Sequence, residues 1–200
     1  MIILQCILML AVTYYFAAFV QTLLHRIFGH HDRIRKVYET HAKGHHGKYP
    51  PGRLIADEWL DSEQHVMWYY AIPFVPTAGA VLWFFGPWLF LSHACAMSFA
   101  IWWHIHLHKQ YHLRGSIWER FRWFQKKREL HFIHHREVHK NYAIVEYWID
   151  IFLGTRKEPN QALLRLSRTD ESSEAVSPLL LESRMDQLPS RRRIFTKFNK

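Results

Sequence analysis

Residues 66–103, VMWYYAIPFVPTAGAVLWFFGPWLFLSHACAMSFAIWW, contain no Asp, Glu, Lys or Arg. A helix crosses about 30 Å of hydrocarbon in about 20 residues, so this stretch is too long for one perpendicular span and suits two. Gly86-Pro87 marks the break, because proline lacks the donor that continues a helix and glycine permits the turn. The stretch therefore reads as a hairpin with arms 66–85 and 88–103, the first arm kinked at Pro73 and Pro76. The opposing reading, a buried hairpin of a soluble protein, asks a chain of 200 residues to enclose too much apolar surface.

Residues 2–24 are also uncharged and long enough for a first span. A cleaved signal peptide is the alternative, but no basic region precedes the apolar run. One span followed by a hairpin puts residues 25–65 and 104–200 on one side of the membrane. The basic residues gather there, among them Arg33, Arg35, Lys36 and Lys43, then Lys109, Arg114, Arg120 and Lys126. By the positive-inside rule that side is cytoplasmic, with the amino terminus outside or lumenal. A bacterial inner membrane and an endoplasmic reticulum membrane fit equally.

The net charge is +9 although the chain carries 9 Trp, 9 Tyr and 14 Phe, so apolar and basic residues sit in separate blocks. None of the 16 histidines lies beyond His139. One functional domain is expected over 1–157 and a disordered polar tail over 158–200, ending in the basic run Arg191-Arg192-Arg193. Cys6 and Cys95 offer neither a disulfide framework nor a thiolate metal site. No stretch resembles a nucleic-acid-binding module.

Ten histidines form four short groups in that domain: His25 and His30; His41, His45 and His46; His108 and His112; His131, His134 and His135. Neutral imidazole is a common ligand for iron, copper, nickel and zinc. On a helix, positions i, i+3 and i+4 share a narrow face, so His131, His134 and His135 can converge on one or two ions. His41 and His45 stack, while His46 swings away and is free to serve a second ion. His108 and His112 stack at i, i+4. His25 and His30, five apart, need a distorted helix or bind different ions. All four groups fall on one side of the predicted membrane.

His104 shares the His108 face and is read as an extra ligand or a partner behind one. His139 continues the His131–His135 face and is a candidate to orient a ligand. His31 is expected in solvent, His65 at a membrane edge, His106 away from the His104–His108 face, and His93 hydrogen-bonded within a span. Each ligating imidazole usually donates its other N–H; the candidate acceptors are Asp57, Glu58, Glu129, Glu137 and Asp150. Trp102, Trp103, Trp118, Phe121, Trp123, Phe124 and Phe132 either line a lipid path or form an interfacial belt.

The order HX4H, HX3HH, HX3H, HX2HH resembles the fatty acid hydroxylase/sterol desaturase superfamily over about residues 20–157. His25-Arg26, Asn141-Tyr142 and Asp150 leading into Phe152-Leu153-Gly154-Thr155 add to the likeness. The resemblance implies an all-α integral-membrane bundle of three to four spans or re-entrant helices, capped by a cytosolic histidine-rich di-metal domain. It implies two iron ions held by the ten histidines, O2 as co-substrate, and hydroxylation of a fatty acyl, sterol-like or carotenoid lipid. Asn141 joins His104 and His139 as a candidate behind the ligands. The chain lacks the fused cytochrome b5-like domain of larger members. A separate electron donor of ferredoxin or cytochrome b5 type is therefore expected, and the basic face suits either such an acidic carrier or anionic head groups.

Three other readings remain at this stage. Desaturation differs from hydroxylation only in whether a second hydrogen leaves before the hydroxyl returns. A non-redox zinc or copper carrier needs ligands near the bilayer midplane, where His93 is the candidate. A zinc hydrolase needs three ligands and a water, fewer than the chain offers. Zinc found in purified protein does not discriminate, since it occupies histidine sites built for iron.

Overall fold

The computed structural model describes residues 1–61, 69 and 72–159. Residues Met1–Glu158 form one compact unit. Of the tail expected to be disordered, 158–200, residues 160–200 lie outside the described residues, as does His65. The described residues are helical with no strand; an isolated parallel bridge ties Ala56 to Leu113.

Helix α1 (Ile2–Leu24) is apolar on every side, and its 23 residues make it about 35 Å long. It continues into a π-helical turn, His25–Gly29. A short helix α2 (Arg35–Tyr38) leads into a second π-helical turn, Glu39–His45. Helix α3 spans Phe74–Tyr111. The stretches Ile2–Gly29 and Phe74–Tyr111 are each long and apolar enough to cross a membrane.

Helix α3 is not one rod. Gly86 has φ 78° and ψ 179°, a backbone region essentially reserved for glycine. Beyond it the chain doubles back: Thr77 Oγ1 lies 3.3 Å from His93 Nε2, 16 residues later, where a continuous helix would separate them by about 24 Å. The arms are 74–85 and 87–111, so the hairpin break falls where Gly86-Pro87 predicts it.

Two details differ from expectation. Pro73 is the N-cap and Pro76 lies in the first turn, where no intrahelical donor is needed, so neither interrupts the helix from Phe74 onward; residues 66–68, 70 and 71 of the expected arm lie outside the described residues. The second arm runs on to Tyr111 rather than stopping at Trp103, and carries His104 and His108 on its last turns.

Small residues bring the helices together, with Ala17 of α1 and Ala100 of α3 packing around Phe74. Thr13 Oγ1 lies 2.9 Å from His93 Nδ1, so both ring nitrogens of His93 meet a threonine, as expected of a polar group inside an apolar bundle. Helix α4 (Arg122–Arg136) and the single turn α5 (Trp148–Phe152) complete the fold. Residues 141–147 run buried between them: Ala143 and Tyr147 pack with Ala18, Leu130 and Ile133, while Ile144 and Val145 pack with Leu107, Tyr111 and Phe124. These contacts bring the end of α1, the end of α3 and the face of α4 to one place.

Candidate metal centre

The two π-helical turns position the first histidines. Widening the turn after α1 lets His25 and His30 meet despite their five-residue spacing, with Nε2 atoms 3.2 Å apart. This is the distortion the spacing calls for. In the second turn, His41 and His45 stack with ring centroids 5.3 Å apart, but they serve different groups. The end of α3 contributes His108 and His112, and α4 contributes His131, His134 and His135.

Two groups result. In one, the ligand nitrogens of His45, His108, His112, His131 and His135 lie within 4.8 Å of one another, and all five residues are buried. In the other, His25, His30, His41 and His134 meet the same limit. His131 and His135 of α4 face the first group and His134 the second. His46 belongs to neither set. Its ring stacks on His135 at 4.2 Å and stands 5.0 Å from both His30 and His134. Thus nine of the ten predicted ligands fall in one or the other of two groups, and His41 and His45 fall in different ones.

The far nitrogens explain how the rings are held. His25 Nδ1 donates to the Tyr142 carbonyl at 2.6 Å, His112 Nδ1 to Leu54 at 2.7 Å, His134 Nδ1 to Lys140 at 2.8 Å and His135 Nδ1 to Tyr49 at 2.9 Å. His45 Nδ1 donates to Asp61 Oδ2 at 2.7 Å. A ring that donates from Nδ1 presents a bare lone pair at Nε2. Burial holds His41, His45, His131, His134 and His135 well below the ordinary imidazole range, with neighbouring imidazoles adding to it. Burial likewise pushes His46 down to about 2 and His112 down to about 3. The rings are therefore neutral at pH 7.

This donor set fits metal ions. Nε2 atoms approach at 3.0 Å between His108 and His45, 3.1 Å between His45 and His135, and 2.8 Å between His25 and His41. Two nitrogens bound side by side at about 2.1 Å from one ion are about 3 Å apart. Both ring nitrogens of His46 and Nε2 of His134 are buried without a hydrogen-bond partner, a costly arrangement for neutral polar atoms alone. Five imidazoles exceed the four ligands of a closed zinc site, and neither group includes a carboxylate.

The supporting residues correct several expectations. Asp61, absent from the predicted acceptors, is a carboxylate that meets a ligand. It is buried in a loop 16 residues beyond His45, and no helical periodicity links the two. Asp150 meets no imidazole. Its carboxylate accepts from Tyr142 N–H at 2.8 Å, Ala143 N–H at 3.0 Å and Thr155 Oγ1 at 2.7 Å, and so holds the peptide whose carbonyl receives His25. Asp57 pairs with Arg114 and Glu137 with Lys157, both at the surface. Glu58 is exposed and Glu129 half-buried.

Asn141 is buried with φ 50° and bonds the Leu130 and Lys157 carbonyls and the Lys157 N–H. It fastens the segment after α4 and is not part of either group. His139 is exposed, because α4 ends at Arg136 and the helical face does not reach it. His104 is buried one turn before His108, with centroids 6.3 Å apart, and lies outside both groups. His31 is exposed. His106 accepts from Trp118 Nε1 at 3.0 Å and stacks on Trp102 and Trp103.

Of the aromatic residues offered for a lipid path, Trp102, Trp103, Trp118, Phe121 and Trp123 pack on one another. Trp102 and Trp123 stay exposed, as in a belt, while Phe124 is buried in the core. Phe132 lies beside His112, ring centroids 6.0 Å apart.

Fold and site together define a helical protein with two stretches capable of crossing a membrane and two adjoining, all-imidazole groups able to hold metal. No family model, curated protein or solved structure matches the chain.

Proposed function

We propose that this protein is a membrane-bound, O2-dependent oxidoreductase that carries two iron ions and hydroxylates an unactivated C–H bond of a lipid, as a member of the fatty acid hydroxylase/sterol desaturase superfamily. One observation carries the reading: a group of five buried imidazoles and a group of four, three of them buried and His30 half-buried, adjoin, and α4 supplies both, through His131 and His135 to one and His134 to the other. Such an arrangement would hold two ions by nitrogen ligands alone.

When bound, two iron ions supply the reduction of O2 and the removal of hydrogen from the carbon. The chain's own part is to hold the imidazoles as neutral donors through Nδ1 anchors, to keep water out by burial, and to set the site at the end of apolar helices that a lipid chain can follow. Electrons come from a separate donor of ferredoxin or cytochrome b5 type. The exposed Arg33, Arg35, Lys36 and Lys43 suit an acidic carrier.

A metal carrier would need ligands along a path through the helices. His93, the candidate furthest from the metal groups along the hairpin, is instead engaged with Thr13 and Thr77, which favours the enzymatic reading. The test is iron-reconstituted protein in nanodiscs with reductant and extracted lipids, under O2 and under nitrogen. A product one oxygen heavier, formed only under O2, supports hydroxylation, and loss of two hydrogens would make the protein a desaturase. Bound metal with no O2-dependent product would overturn both.

A further inference from the structure

Trp148, Ile151 and Phe152 of α5 are 46%, 65% and 74% exposed, a wholly apolar face on a turn of five residues. This face continues the exposed surface of α1. The ring of Trp148 meets Tyr15 at 6.2 Å and that of Phe152 meets Phe19 at 6.1 Å, while Ile149 shares a core with Ala18. Tyr15 and Phe19 precede His25 by ten and six residues, about 9–15 Å along the helix. The turn therefore lies well down α1, away from the end that carries His25.

Most polar groups packed against the turn are engaged within the protein, although Arg156 also pairs with the exposed Glu158. Glu146 accepts from Tyr14 Oη at 2.8 Å, Asp150 is fully buried among Tyr142, Ala143 and Thr155, and the Tyr147 carbonyl accepts from Arg156 Nη1 at 3.2 Å. Apart from Tyr147 Oη, which is buried without a partner, these groups are satisfied internally beneath an apolar exterior, as hydrocarbon requires. In water, the same face beside an exposed apolar helix would be an aggregation surface.

We infer that α5 is a lipid-embedded turn, with Trp148, Ile151 and Phe152 against the acyl chains that surround α1. The inference rests on the membrane reading of α1. Acyl chains, rather than a protein partner, are the occupant because the face is continuous with α1's own exposed apolar surface and carries no exposed polar side chain. The turn has a consequence for the metal centre. Asp150 on its inner side accepts from the Ala143 N–H and so holds the Tyr142–Ala143 peptide, whose carbonyl accepts from His25 Nδ1; two hydrogen bonds thus separate a lipid-facing turn from a candidate ligand.

Nitroxide labels on the full chain in phosphatidylcholine/phosphatidylglycerol nanodiscs test this, with Cys6 and Cys95 replaced by serine. Labels at Ile151→Cys and, separately, Phe152→Cys are compared with Leu8→Cys on α1 and with the exposed His139→Cys. Collision rates with O2 and with a water-soluble nickel chelate are read for each. Labels at 151 and 152 should match Leu8, with an O2-to-nickel ratio several-fold above that at 139. Labels that match 139 while Leu8 stays protected would overturn the inference, as would labels shielded from both reagents, which would mean cover by protein. A Leu8 label open to the chelate would remove the membrane reading itself.

Discussion

His45 and His135 point their Nε2 atoms at each other across 3.1 Å, while the Nδ1 of each ring is engaged elsewhere, with Asp61 and with the Tyr49 carbonyl. Two lone pairs at that distance repel unless a cation lies between them. The rings come from positions 90 residues apart, so the fold holds this repulsion in place.

Removing ligands should separate the two groups. His135→Ala removes a ligand of the group of five and His134→Ala one of the group of four. Each is expected to lower bound metal from about two ions per chain to about one, while His31→Ala leaves it unchanged. Elemental analysis of purified protein checks this, and loss of metal from the His31 variant would contradict it.

Asp61 orients His45 and raises its basicity. Asp61→Ala leaves His45 Nδ1 without its carboxylate, and metal affinity of the five-imidazole group should fall about 10–100-fold. Asp61→Asn keeps an acceptor oxygen and should lose less. Competition titration with a chelator reads both values, and equal affinities in wild type and Asp61→Ala would contradict the role.

Gly29 closes the first π-helical turn beneath two ligands. A Cβ built there would sit 3.0 Å from His25 Cδ2 and 3.1 Å from His41 Cδ2, so tight that both rings must shift to admit it. Gly29→Ala should therefore release metal from the group of four while the helical content persists. Metal analysis with far-ultraviolet circular dichroism checks it; full metal content would show that the rings yield freely.

The pH dependence follows from burial. Above about pH 6.5 the imidazoles are neutral in folded and unfolded chains alike. Below it the unfolded chain takes up protons that the folded one refuses, since His46 is held at about 2 and His112 at about 3. Stability of the metal-free protein should thus be fully present above about pH 6.5 and fall as pH drops toward 3, by about 1.4 kcal/mol per pH unit for each fully buried ring such as His112. Denaturation midpoints in chelator from pH 8 to 5 report this, and a flat profile would place the rings in water.

The sequence was most legible where periodicity or charge decides the outcome. The described parts of the uncharged stretches are apolar helices, Gly86 is the hairpin break, and nine of the ten histidines fall in two groups with His46 beside them. Asp61 was not legible, because its pairing with His45 crosses a loop that no period describes. His139 was misplaced since a helical face extends in sequence only as far as the helix, and α4 stops at Arg136. Asp150 looked like an acceptor for a ligand ring, whereas its carboxylate caps two backbone amides. The division of His41 from His45 depends on a π-helical turn, which a spacing suited equally to an α-helix does not signal.

X-ray absorption spectroscopy at the metal edge of the purified protein tests the central claim most directly. The two groups predict a first shell of nitrogen at about 2.1 Å, with the outer-shell scattering of several imidazole rings per ion and no sulfur. A shell of few imidazoles completed mainly by oxygen or sulfur would contradict the account.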